Sequence, residues 1–176
     1  MTPSKYMVIS FGTEYACNNT WKVKLISSIE EKLGGISMKG KTMSDIKVGD
    51  FAEHAKTISE SDVYLFAGIT GDMNPAHIDA QDAAKGMFKE RIAHGMLSAG
   101  LVSAVLGMQL PGPGTIYMSQ TLKFTAPVKF GDTITARAEV TDRNVDRNRL
   151  TLKTTCTNQD GKLVLDGEAT VMPPKA

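Results

Sequence analysis

The spacing of apolar residues switches from helical to strand-like at Pro111-Gly-Pro-Gly114, and this switch constrains the fold more than any other feature of the chain. Before it, between Met96 and Met108, Leu97, Leu101 and Val105 form one apolar stripe, while Gly100, Ser103, Ala104 and Gly107 form a face of small residues at helical spacing. A helix that is apolar or small nearly all round needs a cover, and small residues let a second backbone come close. After it the period is two. Ile116, Met118, Leu122 and Phe124 alternate with Tyr117, Ser119, Thr121 and Lys123, and Ile134, Ala136, Ala138 and Val140 alternate with Thr135, Arg137, Glu139 and Thr141. Leu150, Leu152, Thr154 and Cys156 then pair against Leu163, Leu165, Gly167, Ala169 and Val171 across the Asn158-Gln-Asp-Gly161 turn. The expected architecture is α+β: a central helix wrapped by a strongly curved antiparallel meander, with the small-residue face against the sheet.

Upstream of that helix, Ile46-Lys-Val-Gly-Asp50 reads as a turn and Phe51 to Ile58 as a first strand. Ser59-Glu-Ser-Asp62 fits a capping box, so a helix follows that carries Val63, Phe66 and Ala67 inward. It cannot run far past Gly71, because Pro75 disfavours helical geometry at Asn74. Asp79-Ala-Gln-Asp82 repeats the capping pattern for a short second helix weakened by Gly86, and a third helix opens near His94-Gly95.

Residues 1–43 differ from the rest and read as an N-terminal extension, leaving 44–176 as the domain. The extension carries the sole tryptophan, Trp21, and a short helix is expected over Ile26 to Leu33, stopped by Gly34-Gly35. Ser37 to Thr42 reads as polar linker, and Met38 or Met43 is a candidate natural start. With no Arg, six Lys and three Glu, the first 43 residues make a poor mitochondrial presequence, and Met7-Val-Ile-Ser-Phe11 is too short for a secretory signal.

Lys and Arg number 20 against 19 Asp and Glu, so no overall field draws the molecule to nucleic acid or an anionic membrane. No run approaches the roughly 20 apolar residues of a membrane span. Cys17 and Cys156 lack metal or redox spacing and read as reduced thiols of a cytoplasmic protein.

The chemistry points to Gly71-Asp72-Met-Asn-Pro-Ala-His77-Ile-Asp79, where a carboxylate and an imidazole flank a proline-stiffened turn. Asp72 can take a proton from water, and His77 can hold that water and carry a proton. Spacing alone fits an Asx-type turn with a surface histidine as well. The second signal is His94-Gly95, placed where free amides at a helix start can polarise a carbonyl. His54, His77 and His94 lack metal-ligand spacing, so no metal is expected, and the glycines of 107–114 lack the Gly-Lys-Ser/Thr of a phosphate loop.

Three separated stretches carry a family resemblance: Tyr64-Leu-Phe-Ala-Gly-Ile-Thr-Gly-Asp-Met-Asn-Pro-Ala-His-Ile-Asp79, Arg91-Ile-Ala-His-Gly-Met-Leu97 and Pro111-Gly-Pro-Gly-Thr-Ile-Tyr117. From about Ser44 to Pro173 the chain resembles the MaoC-like (R)-specific enoyl-CoA hydratases. The resemblance implies a hot-dog homodimer in which Asp72 and His77 activate water, Asn74 braces their loop, the backbone near Gly95 faces the thioester oxygen and Ser103 supports the site. From packing alone Ser103 is simply a small helix-face residue.

The activity so implied is reversible hydration of a trans-2-enoyl-CoA to the (R)-3-hydroxyacyl-CoA, with coenzyme A as part of the substrate and no separate cofactor. Lys123, Lys129 and Arg137 are candidate contacts for the coenzyme A phosphates. Alternatives are a dehydratase acting on acyl carrier protein, a non-catalytic acyl-CoA-binding module and a thioesterase.

Overall fold

The computed structural model describes residues 39–175. Trp21, Cys17, the helix expected over Ile26 to Leu33 and Met38 lie outside the described residues. Gly40 and Lys41, which the sequence reading placed in the extension, donate backbone hydrogen bonds to Pro113 and Pro111, and the Met43 carbonyl accepts from Arg143.

Five strands form one antiparallel sheet: β1 (Phe51–Thr57), β2 (Ile116–Phe124), β3 (Thr133–Asn144), β4 (Arg149–Thr157) and β5 (Leu163–Met172), in the order β1-β3-β4-β5-β2. Helices α1 (Glu60–Thr70), α2 (Pro75–Ile78), α3 (Ala80–Ala83) and α4 (Gly95–Met108) lie between β1 and β2 in the chain. The long helix α4 packs on the sheet against β1, β2, β3 and β4. This is the hot-dog arrangement that the resemblance implies.

The strand alternation becomes cross-strand rows. Ala136, Cys156 and Leu165 align, as do Val140, Leu152 and Ala169, and all six are buried. A strand's side chains alternate between faces, so these rows share one side of the sheet, where the stripe Leu97, Leu101 and Val105 of α4 meets them in the core. Burial pushes the free Cys156 thiol up to about 12, as an apolar setting disfavours thiolate.

Two expectations need correction. The strands after Pro111 are not one consecutive meander: β3, β4 and β5 are, but β2 pairs with β5 at the sheet's end. On that edge strand Ile116, Met118 and Phe124 are exposed, and the register shifts between Tyr117 and Ser119. Second, the small-residue face of α4 does not press on the sheet. Gly100 and Ser103 are exposed, and a Cβ added at Gly100 or Gly107 would meet nothing within 4 Å. The sheet takes the Leu-Val stripe, since branched side chains bury more apolar area there than glycine or serine can.

Candidate active site

Local sequence positions Asp72 through a chain of caps. Ser59 accepts the Asp62 amide and Asp62 accepts the Ser59 amide, starting α1 with the expected capping box. The helix ends on Gly71, whose φ of 77° is the left-handed geometry that glycine adopts without a Cβ penalty. Thr70 Oγ1 accepts the Asp72 N–H, and Asp72 Oδ1 accepts the Asn74 N–H at 3.3 Å. Asn74 then accepts the Ala76 N–H at 3.1 Å and caps α2, with Pro75 in the first helical position. The proline-stiffened turn is therefore a turn of helix, and Asn74 braces it.

His77 leaves that helical turn toward a segment far along the chain. Its Nδ1–H donates to the Ile92 carbonyl at 2.8 Å, while the Ile92 N–H donates to Ala76 at 3.1 Å. Ile92 bridges Lys129, and Ala93 donates to Val128, so the 92–93 backbone is itself anchored. A carbonyl only accepts, so Nδ1 carries the proton and Nε2 of neutral His77 is the free acceptor.

His94 joins the same cluster. Its ring is 2% exposed, its Nε2–H donates to the Asp72 main-chain carbonyl at 2.9 Å, and Nε2 lies 4.0 Å from Asp72 Oδ2. The His77 and His94 ring centroids are 3.9 Å apart, with Phe66 4.9 Å from His94 on another side. One ligand-type atom each from Asp72, His77 and His94 lies within 4.8 Å of the others, a set able to hold a metal ion that linear spacing did not signal. His54 lies apart from it, on β1.

These groups line a cleft of about 660 Å³. Phe66, Ile92, Phe124, Pro127 and Val128 contribute apolar walls, and Gly95 and Ser98 bring in the first turn of α4. A Cβ added at Gly95 would come within 2.9 Å of the Phe124 ring, so the glycine permits that close contact. Among the described residues the Gly95 N–H has no bonded acceptor, as expected for the first amide of a helix. The cleft thus brings a carboxylate, two imidazoles and an oriented amide together in a mainly apolar setting.

A model of the MaoC like domain matches residues 46–160. The chain belongs to this family. Over 130 residues it is 59% identical to an (R)-specific enoyl-CoA hydratase of Rhodospirillum rubrum, covering 74% of this chain and 90% of that one. It is 51% identical over 131 residues to a 3-hydroxybutyryl-CoA dehydratase of Methylorubrum extorquens, covering 74% and 83%. Among solved structures, the unliganded R-hydratase PhaJ1 of Pseudomonas aeruginosa is 49% identical, with a TM-score of 0.74 and coverage of 78% and 88%. The MaoC-like match includes Asp72, His77 and His94.

The other residues singled out in sequence lie elsewhere. Ser103 is on the exposed face of α4 and does not line the cleft of this chain. Arg137 is bound to Glu53 at 2.7 Å and Glu139 at 2.9 Å and stacks over Phe51 at 3.5 Å. The two carboxylates hold its guanidinium pKa above the ordinary value. Lys129 pairs with Glu90 at 2.5 Å, which raises its ammonium pKa. Lys123 is exposed and, by strand alternation, faces away from the side of Leu122 and Phe124. Sequence reasoning missed the His94 side chain and Ser98. A signal was present, since polar residues four apart at the start of an apolar helix share one face.

Proposed function

We propose that this MaoC-like protein is a hydro-lyase that reversibly hydrates trans-2-enoyl-CoA to (R)-3-hydroxyacyl-CoA. The convergence of Asp72 and His77 at the cleft, beside the Gly95 amide, carries the reading. The names of its relatives in Rhodospirillum rubrum and Methylorubrum extorquens point the same way. In the hydration direction Asp72 removes a proton from water as the oxygen bonds to C3. His77, with Nε2 as its free acceptor, orients that water and shares in the proton traffic. Negative charge developing on the thioester oxygen is met by the Gly95 N–H and the positive end of α4. C2 then gains a proton through the same pair on the same face, and the reading takes the addition as syn. It needs no metal, because the thioester already makes C3 electrophilic.

A homodimer follows as part of this proposal. Among the described residues the outer edge of β2 is unpaired, and the exposed Ile116, Tyr117, Met118 and Phe124 lie along that strand. The uncovered small-residue face of α4, flanked by exposed Met96 and Met108, is a second surface a matching copy can cover. Ser103 lies on that face, so a part for its hydroxyl in the site would run through the second copy.

Asp72→Asn should lower crotonyl-CoA hydration by about 10²- to 10⁴-fold, the range for loss of a general base, with unfolding midpoint and dimer unchanged. Near-normal turnover would overturn the assignment. Competition between CoA and acyl-carrier-protein thioesters of one acyl chain decides the carrier.

A further inference from the structure

His94 occupies the N-cap of α4 yet makes no side-chain cap bond to its own helix. N-cap positions favour Ser, Thr, Asp and Asn, because their short side chains reach the free amides one turn on. Here the imidazole turns away and spans 22 residues of chain to the Asp72 carbonyl. That oxygen can only accept, so His94 carries its proton on Nε2 and, when neutral, leaves Nδ1 a bare acceptor. Nδ1 is buried and has no bonded partner among the described residues.

The two histidines are thus held as opposite tautomers by two main-chain carbonyls. His77 is fixed through Nδ1–H to Ile92, two residues before His94, and His94 is fixed through Nε2–H to the residue that carries the carboxylate. Their ring centroids lie 3.9 Å apart with the planes tilted by 34°, and the Phe66 ring lies 4.9 Å from His94. The carboxylate of Asp72 is 52% exposed, and among the described residues its one side-chain hydrogen bond is the 3.3 Å contact from Asn74 N–H. The buried imidazole therefore ties the Asp72 backbone to the start of α4 through a 2.9 Å bond.

We infer that His94 is a positioning residue: as the neutral Nε2–H tautomer it sets the Asp72 backbone and the His77 ring in register. The inference rests on the acid-base reading given above. Misplacing reacting groups by about 1 Å can cost on the order of 10²-fold in rate without a change in which groups are present. Losing a positioning residue should therefore lower kcat more than it raises KM.

The test uses the full-length protein and three substitutions. His94→Phe keeps a ring to pack on His77 but lacks both nitrogens. His94→Gln restores an amide N–H near the former Nε2, and His94→Leu restores neither. With crotonyl-CoA, His94→Phe should lose about 10- to 100-fold in kcat with KM changed by no more than about twofold, and His94→Gln should recover much of that loss. Nitrogen-15 spectra of the unsubstituted protein should show His94 protonated on Nε2 and His77 on Nδ1, and the His77 signals should shift in His94→Phe.

Parent-like kcat in His94→Phe would overturn the inference, as would a bare Nε2 on His94. If His94→Phe does not fold, a Gln variant no more active than the Leu variant has the same meaning. Should Asp72→Asn retain turnover, the acid-base reading itself fails, and the nitrogen spectra still judge the tautomer assigned to His94.

Discussion

The rows joining β3, β4 and β5 and the cluster joining Asp72, His77 and His94 are both regions of dense contact, but they are held together differently. The sheet rows are apolar, buried and redundant: Leu152 has Val140 on one side, Ala169 on the other and the α4 stripe above. In the cluster, two imidazole-to-carbonyl bonds span 15 and 22 residues, and the carboxylate they serve stays half exposed. On the proposed mechanism, stability rests mainly on the first region and chemistry on the second. A change in either should therefore leave the other's property nearly intact.

The strongest way to break that contrast is Leu152→Ala. The residue is fully buried, and truncation leaves a cavity costing about 2–5 kcal/mol. Denaturant unfolding should show the loss, while the fraction still folded hydrates crotonyl-CoA at a near-parental kcat. A collapse of kcat in folded protein would mean that the sheet rows also tune the site. Asp72→Asn is the mirror image, with activity lost and the unfolding midpoint kept.

A smaller effect sharpens the border between the regions. Asp62 starts the helix that leads to Asp72, and its pKa is lowered from 3.8, first by the Ser59 backbone N–H, then by the Ser59 hydroxyl, with Lys56 3.0 Å away also lowering it. A depressed carboxylate contributes stability that is present above its unfolded value and lost as pH falls through the lower folded value. Asp62→Asn should therefore cost about 1 kcal/mol near neutrality, and the gap from the parent should close below about pH 4. Equal gaps across that range in urea titrations would show that the charge does not matter.

The smallest effect concerns Ser98, whose hydroxyl is buried on the cleft wall without a partner among the described residues. Removing an unsatisfied buried hydroxyl relieves a desolvation cost, so Ser98→Ala should be neutral or stabilising by up to about 1 kcal/mol. A destabilisation above that size would show that the hydroxyl is bonded in solution.

Local rules made much of the molecule legible. The Ser59 and Asp79 caps, the stop at Gly71, the start of α4 at Gly95 and the inward rows of β3, β4 and β5 follow from side-chain chemistry within a few residues. Asp72 and His77 were legible as a pair for the same reason: Pro75 and the Asn74 cap fix the turn between them. Arg137 reads in sequence as a candidate phosphate contact, yet in the fold it is held by Glu53, 84 residues away, and by Glu139. Its partner across the sheet is set by the pairing of β1 with β3, which linear spacing does not encode.

By itself, the sequence determined the caps of α1 and α3, the stop at Gly71, which alternating residues of β3, β4 and β5 form the core and which loop bears the carboxylate and imidazole, because those outcomes depend on neighbours along the chain. Only the tertiary structure decided that β2 sits at the edge beside β5, that the small face of α4 is left uncovered, and that His94 reaches Asp72 rather than capping its own helix. Each of those depends on which distant backbone offers a partner, and a carbonyl 22 residues away competes for an imidazole only once the sheet and α4 have brought the two together.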